Sequence, residues 1–493
     1  MEGVFRRHRL LLTFLCCLMA ALLLTILWYP DHFSTSRKGT QQSGIEGDII
    51  QHEESALFSP KALDVQDIPP ASVTHKPDPP TGKPPKLEKP SKPKSPGSLA
   101  PNRTEVNEAL YPDTTVEKEW ISIEDSSNGL TLARRTVYYD TRSSFSPSVV
   151  IIVLHNHEKQ PNLPKLYAKV TGQSSCSAVE HWKQTGNVVK SPWYEVTLSH
   201  VYRIQLNQRP ESIQLSKDSQ CNKLLPLMPV FKAKEVKKKY TFTTCIQKAL
   251  YDDIQPAEVV NFIELNRALG SSMITIYFHR NLKAKDAIYK AIETYIKTGY
   301  VEVLGWSLVD GWLGQVFDVA LSASATECVY RHMAISEYMA LHDVDEFLIP
   351  MKHEDWFGML NELKNKNDLS KYASLSFANS LFQEKEEAGP KMECVVPIYF
   401  KRYLRDDNPK TSHPKVMVNL NITITAYCHD IKTWKDGAEK ELLVPFEIGL
   451  LFHYRKQLGH RVNVAQRWKH DTIVNKYMDT VIAALRKNSC ITK

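Results

Sequence analysis

Residues 338–350 read YMALHDVDEFLIP, which sets Asp343, Asp345 and Glu346 between two apolar runs. Carboxylates placed beside buried chain are costly unless they are paired or bound. In extended chain, residues two apart point the same way. Asp343 and Asp345 would then converge, with Val344 and Glu346 turned to the other face. Two convergent carboxylates suit a hard divalent cation such as Mn²⁺ or Mg²⁺, whose open positions accept phosphate oxygens. A D-x-D triplet alone also fits a surface turn with capping acids, so its place in the fold decides. His155, His157 and Glu158 form a second set of possible metal ligands, with a surface turn as the alternative. The chain has no C-x-x-C pair, which argues against a structural zinc site.

The elements around the triplet form an alternating pattern. TFTTCIQKAL reads as a strand, and AEVVNFIELNRAL as a helix stopped by Gly270. SSMITIYFH is the next strand. AKDAIYKAIETYIKTG has helical period, with Gly299 as its stop, and YVEVLGW is again a strand. Residues 314–336 read as a long helix, and Tyr338–His342 as a short strand. This alternation predicts an α/β domain with a mostly parallel, helix-covered sheet. In such sheets ligands bind beyond the carboxyl ends of the strands, where Asp343 and Asp345 stand. Past residue 350 strands such as ASLSFANSLF and VMVNLNITITAY mix with a final helix over 471–487. Residues 116–235 read as a β-rich accessory module, carried by SVVIIVL and by WYEVTLSHVYRIQL, whose period-two pattern only His200 breaks.

The N-terminal part has a different character. Residues 10–29, LLLTFLCCLMAALLLTILWY, carry no charge, and at 1.5 Å per residue they match a bilayer core of about 30 Å. Arg6, Arg7 and Arg9 in the 1–9 tail place that end in the cytosol, so a type II anchor is expected rather than a cleaved signal peptide. Between Pro69 and Pro101 eleven of 33 residues are Pro and six are Lys, which makes 30–115 a disordered, extended stem. A lumenal chain would form up to three disulfides from its seven remaining cysteines, with no connectivity derivable. It would also expose the N-glycosylation sequons at Asn102 and Asn421. Over 493 residues, 62 Lys+Arg against 55 Asp+Glu is a mild excess. No basic patch interleaved with aromatics points to nucleic acid, and Lys237–Lys239 reads as solvated linker.

An anchor, a Pro-rich stem and a lumenal domain with a strand-end D-x-D resemble Golgi glycosyltransferases of the GT-A fold. More narrowly, residues 240 to 470 resemble glycosyltransferase family 92. The resemblance rests on Cys245, FIELNRALG, ITIYFHRN, the block from ECVYRH to HDVDEFLIP, and FHYRK at 452–456. It implies a GT-A-like Rossmann-type domain over 236–493, in a single-pass Golgi membrane protein with its catalytic part lumenal. It also implies inverting, Mn²⁺- or Mg²⁺-dependent transfer of galactose from UDP-galactose to glycoprotein N-glycans, in vertebrate members β1,4 to a terminal galactose. Asp345 would then be a direct metal ligand, Asp343 a ligand or nucleotide-sugar contact, and His453 a third ligand or a packed core histidine. Arg455 would pair with phosphate or face solvent. The general base would come from Glu384, Glu386 or Glu387, with His413 a weaker candidate. The uracil site would use Tyr251, Asp252, Asp253, His279 and Arg280, by the strand-end rule. Two other readings compete: a non-catalytic lumenal lectin or scaffold derived from such an enzyme, and a two-metal phosphoesterase, for which no matched ligand set is found.

Overall fold

The computed structural model describes residues 119–123, 131–157, 160–185, 197–233, 239–252, 254–308, 320–390, 396–455 and 467–487. All of them belong to one compact unit, Pro96–Lys493. Its first part holds nine strands: β1 Trp120–Ser122, β2 Thr131–Arg134, β3 Tyr138–Asp140, β4 Ser148–Asn156, β5 Leu166–Val170, β6 Cys176–Gln184, β7 Thr197–Gln205, β8 Ser212–Ser216 and β9 Met228–Pro229. They join in one wholly antiparallel sheet of order β1-β2-β4-β7-β6-β5-β8-β9, with β3 also on β4. The central β4 is buried along its length because its SVVIIVL run packs on both faces.

The second part opens with β10 Tyr240–Ile246, β11 Leu250–Asp252, α1 Pro256–Leu269, β12 Ile274–Leu282, α2 Lys285–Lys297, β13 Val301–Gly305, α3 Leu321–His332 and β14 Ser336–His342. It continues with β15 Glu346–Pro350, α4 Trp356–Lys366, β16 Tyr372–Leu381, β17 Leu404–Asp406, β18 Lys410–Asn419, β19 Thr423–Ala426, β20 Ile431–Trp434, β21 Glu439–Leu443, β22 Gly449–His453, β23 Trp468–His470 and α5 Met478–Lys487. Local signals explain the helix ends. Pro256 opens α1, the Glu258 carboxylate accepts the Gln255 N–H at 2.8 Å, and Gly270 takes the left-handed φ of 115° that stops the helix.

The expected mostly parallel, Rossmann-type sheet is corrected here. The chain is strand-rich, and most of its strand pairings are antiparallel. In the ten-stranded sheet β10, β11, β12, β13 and β14 run parallel, but antiparallel pairings carry the sheet on from β14 to β18 to β16, and β15 lies antiparallel on β22. Apolar runs of this length are buried on both faces in either arrangement, so their pattern does not report direction. The predicted 314–336 helix is described only as Leu321–His332, and VMVNLNITITAY divides into β18 and β19.

The Golgi membrane placement and its single-pass anchor are corrected as well: among the described residues no helix is long and apolar enough to cross a membrane. Residues 10–29, the stem, Asn102, Asp253, Glu158, Lys237, Lys238, Cys394 and Cys490 lie outside the described residues.

Side chains of β12 alternate between two cores, as a strand requires. Ile276 and Phe278 pack under α1 and α2 with Phe262 and Ile288, whereas Tyr277 joins Trp306, Val329, Tyr330 and the accessory residues Leu132, Tyr138 and Ile152. At that seam the Glu327 carboxylate of α3 is fully buried. Arg134 Nε donates to it at 2.9 Å, Tyr138 Oη at 2.5 Å and Arg331 Nη2 at 3.3 Å, while Arg134 lies over the Trp306 ring. Disulfides join Cys176 to Cys221 and Cys245 to Cys328, the second tying β10 to α3, and Cys428 is a buried cysteine outside both.

Candidate active site

β14 is apolar and buried up to His342, and there the chain turns. Asp343, Val344 and Asp345 form a tight turn rather than extended strand: the Glu346 N–H donates to the Asp343 carbonyl at 3.2 Å. Glu346 closes that turn from inside, since its Oε2 accepts the Asp343 N–H at 2.9 Å and its side chain is 3% exposed. The acid that the strand reading turned away thus fixes the shape of the triplet. β15 then runs back against β22 with Glu346 opposite His453, and the Tyr454 N–H donates to the Asp345 carbonyl at 2.9 Å.

That register brings His453 to the triplet. Its Nε2 lies 3.5 Å from Asp345 Oδ2 and its Nδ1 3.5 Å from Glu346 Oε1. From the antiparallel β18 comes Lys415, whose side chain is 1% exposed. Its Nζ lies 2.9 Å from Asp343 Oδ2 and 3.2 Å from Glu346 Oε2, and donates to the Cys428 carbonyl at 3.2 Å. Gln247, just past β10, donates from Nε2 to Asp343 Oδ2 at 3.1 Å.

These contacts set the protonation pattern. Burial alone would raise the Asp343 carboxyl, but the Lys415 ammonium, helped by Lys248 and Gln247, holds it well below the usual carboxylate range. Burial raises Glu346 in spite of Lys415, so of the two carboxyls Asp343 gives up its proton first. Burial would lower Lys415, but Asp343 and Glu346 push it above the usual ammonium range. His453 is raised, because Glu346 and Asp345 outweigh its burial.

The donors fit a divalent cation in type. Among the described residues Asp343 Oδ1 is a buried acceptor with no hydrogen-bond partner, and Asp345 faces His453. Among the described residues no three His, Cys, Asp or Glu donors enclose a metal position. Mg²⁺-like ions in phosphate-binding sites need no such cage, since they rest on one or two carboxylates plus substrate phosphates and water.

The other expected residues divide. Lys248 puts its ammonium 4.8 Å from the Tyr251 ring, which brings Tyr251 beside the Asp343 field. Asp252 ends β11. His279 is fully buried and its Nδ1 accepts the Asn281 N–H at 3.1 Å, so as it stands it meets no ligand from solvent. Arg280 is half-buried, and Arg455 is exposed with its carbonyl held by Arg402 at 2.7 Å. The chain after β16 passes beside His453, whose carbonyl accepts the Phe382 N–H at 3.0 Å. Glu384 there is exposed. Glu386 is ion-paired with Lys401 and lies 3.7 Å from Arg402, and Glu387 reaches His470 only at 4.0 Å. His413 and Asn421 are exposed. A polar cavity of about 790 Å³ opens near the opposite end of β14, between Glu337, Lys364, Asp368 and Asn421. It holds none of the groups gathered at Asp343, so we place the site at the triplet.

The model of "Glycosyltransferase family 92" matches residues 240–489, just over half the chain. The chain belongs to glycosyltransferase family 92. It is similar over 113 residues, at 27% identity, to the Caenorhabditis elegans protein "Beta-1,4-galactosyltransferase galt-1". That similarity covers 23% of this chain and 26% of the relative, so the chain spans about a quarter of the relative's length. Family 92 membership makes a sugar donor and an acceptor the substrates to be accommodated. Asp343, Asp345, Glu346, His453, Lys415 and Gln247 all lie inside the family region, and the nine-stranded sheet precedes it. Lys415 and Gln247 have no sequence signal of their own, since only strand pairing brings them to Asp343.

Proposed function

We propose that this family 92 chain transfers galactose from UDP-galactose to a glycoprotein glycan with inversion, β1,4 to a terminal galactose of N-glycans, with the help of Mn²⁺ or Mg²⁺. The supporting observation is the strand-end turn in which Asp343, held ionised by buried Lys415, stands beside Asp345 and His453. The family supports glycosyl transfer, and the name of the Caenorhabditis elegans relative supports galactose and the β1,4 linkage.

In this reading the Asp345 and Asp343 carboxylates would hold the cation together with substrate phosphate and water, with His453 beside Asp345 as a further donor. A divalent ion bound there would neutralise charge growing on the leaving diphosphate. The chain's own residues do the rest. Glu346 and Gln247 fix where the Asp343 carboxylate points. Lys415 keeps it ionised across the physiological range. Lys248, on the same edge, adds positive field for the diphosphate. Tyr251 stands beside it for the nucleoside end of the donor.

The test is a panel of UDP-sugars with Mn²⁺ and N-glycans ending in galactose or N-acetylglucosamine. The proposal predicts one added hexose from UDP-galactose only, removable by a β1,4-specific galactosidase. Transfer of another sugar, or UDP-galactose hydrolysis indifferent to acceptor, would contradict it.

A further inference from the structure

The turn between β19 and β20 carries Cys428 and His429, and lies against Pro414 and Lys415 of β18. Two hydrogen bonds cross-tie these dipeptides: Lys415 Nζ to the Cys428 carbonyl at 3.2 Å, and His429 Nδ1 to the Pro414 carbonyl at 3.0 Å. Through Lys415 the turn is fixed relative to Asp343, 2.9 Å further on. A carbonyl only accepts, so His429 Nδ1 carries the proton and Nε2 keeps its lone pair. His429 is half-buried, and Nε2 meets no protein partner among the described residues. His413 stacks its ring edge-on to His429 at 5.1 Å, and holds an unusual left-handed backbone with φ 57°.

We propose that His429 is the general base that takes the proton of the acceptor hydroxyl; this rests on the glycosyl-transfer reading above. The acceptor O–H gives its proton to Nε2, and its oxygen forms the new bond to the sugar C1. The C1–O bond to the diphosphate breaks on the opposite face, and its electron pair leaves with the diphosphate. The imidazolium then returns its proton to water. The Pro414 carbonyl fixes the tautomer and orients the ring throughout.

The groups facing His429 keep its ring unprotonated, and they also make it a weaker base. Burial, Lys415 and His413 lower it to about 4, against smaller opposing effects of the Pro414 carbonyl and Asp343, so the ring is neutral at physiological pH. The acidic candidates are placed less well. Glu386 is engaged by Lys401 and Arg402, and Glu387 lies toward His470.

The test is His429→Gln and His429→Ala in the full chain, assayed with UDP-galactose, Mn²⁺ and a galactose-terminated glycan. We expect kcat to fall by roughly 10²–10⁴-fold, the usual worth of a positioned base. Donor KM and thermal stabilisation by UDP should stay at wild-type values, and added imidazole should restore part of the rate to His429→Ala. A wild-type kcat in His429→Gln overturns the assignment. So does equal loss of donor binding and turnover with no imidazole rescue, which would make His429 structural. A wild-type chain that transfers from no donor sinks the glycosyl-transfer reading itself, and the assignment with it.

Discussion

Replacing Lys415 by Met tests whether one buried ammonium organises the acidic turn. The lysine is 1% exposed and has two carboxylates within 3.2 Å, so Met fills similar space but leaves Asp343 and Glu346 facing each other. Breaking a buried ion pair by removing one partner costs about 3–5 kcal/mol. We therefore expect Lys415→Met to lose about that much stability at pH 7, measured by urea unfolding. The sign of the pH dependence follows. Asp343 is lowered in the native wild type, so its contribution is present above its unfolded value near 3.8 and is lost as pH falls below it. In the variant Asp343 is no longer held down. It takes up a proton in the native state, and the deficit shrinks between pH 7 and pH 3. Adding Asp343→Asn to the variant should restore part of the stability, the non-additivity expected of contacting charges. A variant as stable as wild type at pH 7, or a deficit independent of pH, would refute the reasoning.

The accessory sheet has its own pH dependence. His157 Nε2 lies 3.0 Å from His200 Nε2, and His181 Nε2 3.1 Å from His200 Nδ1. Burial first, then His181, His157 and His155, lower His200 from 6.5 to about 2, so the native state keeps it neutral while the unfolded chain protonates below 6.5. Its stabilising contribution is complete above that value and declines as pH falls, by about 2 kcal/mol between pH 8 and pH 5. Unfolding titrations should show that slope reduced in His200→Gln; an unchanged slope would contradict the assignment. Glu327→Gln removes the charge that Arg134 and Arg331 share at the seam, and should cost about 3–5 kcal/mol. Tryptophan fluorescence should report it, because Trp120 and Trp306 flank Arg134; an unshifted unfolding midpoint would count against it.

Much of the local structure was legible. Gly270 and Gly299 mark helix ends as read, and the strands before and after them begin within a few residues of their expected places. Sheet direction was not legible, because a buried run such as VMVNL packs alike in parallel and antiparallel neighbours. The acids of the triplet stood out because carboxylates rarely follow a buried strand. The groups that hold them did not. Lys415 sits in KTSHPKVMVN, where nothing local separates it from a surface lysine, and only the β14–β18 register carries it to Asp343. The period-two argument failed at Asp343–Asp345 because the chain turns there, with Glu346 inside the turn. The histidine chain left one trace: His200 was the residue that broke the alternation of its strand.

The central claim is that the acidic turn at the end of β14 is where a nucleotide-sugar donor is activated. The most direct measurement is UDP release and glycan extension by wild type and by Asp345→Ala, each with UDP-galactose and Mn²⁺, with unfolding midpoints recorded alongside. The account predicts transfer by the wild type, and loss of transfer in the variant with its folding intact. Full transfer by a folded Asp345→Ala protein would contradict it.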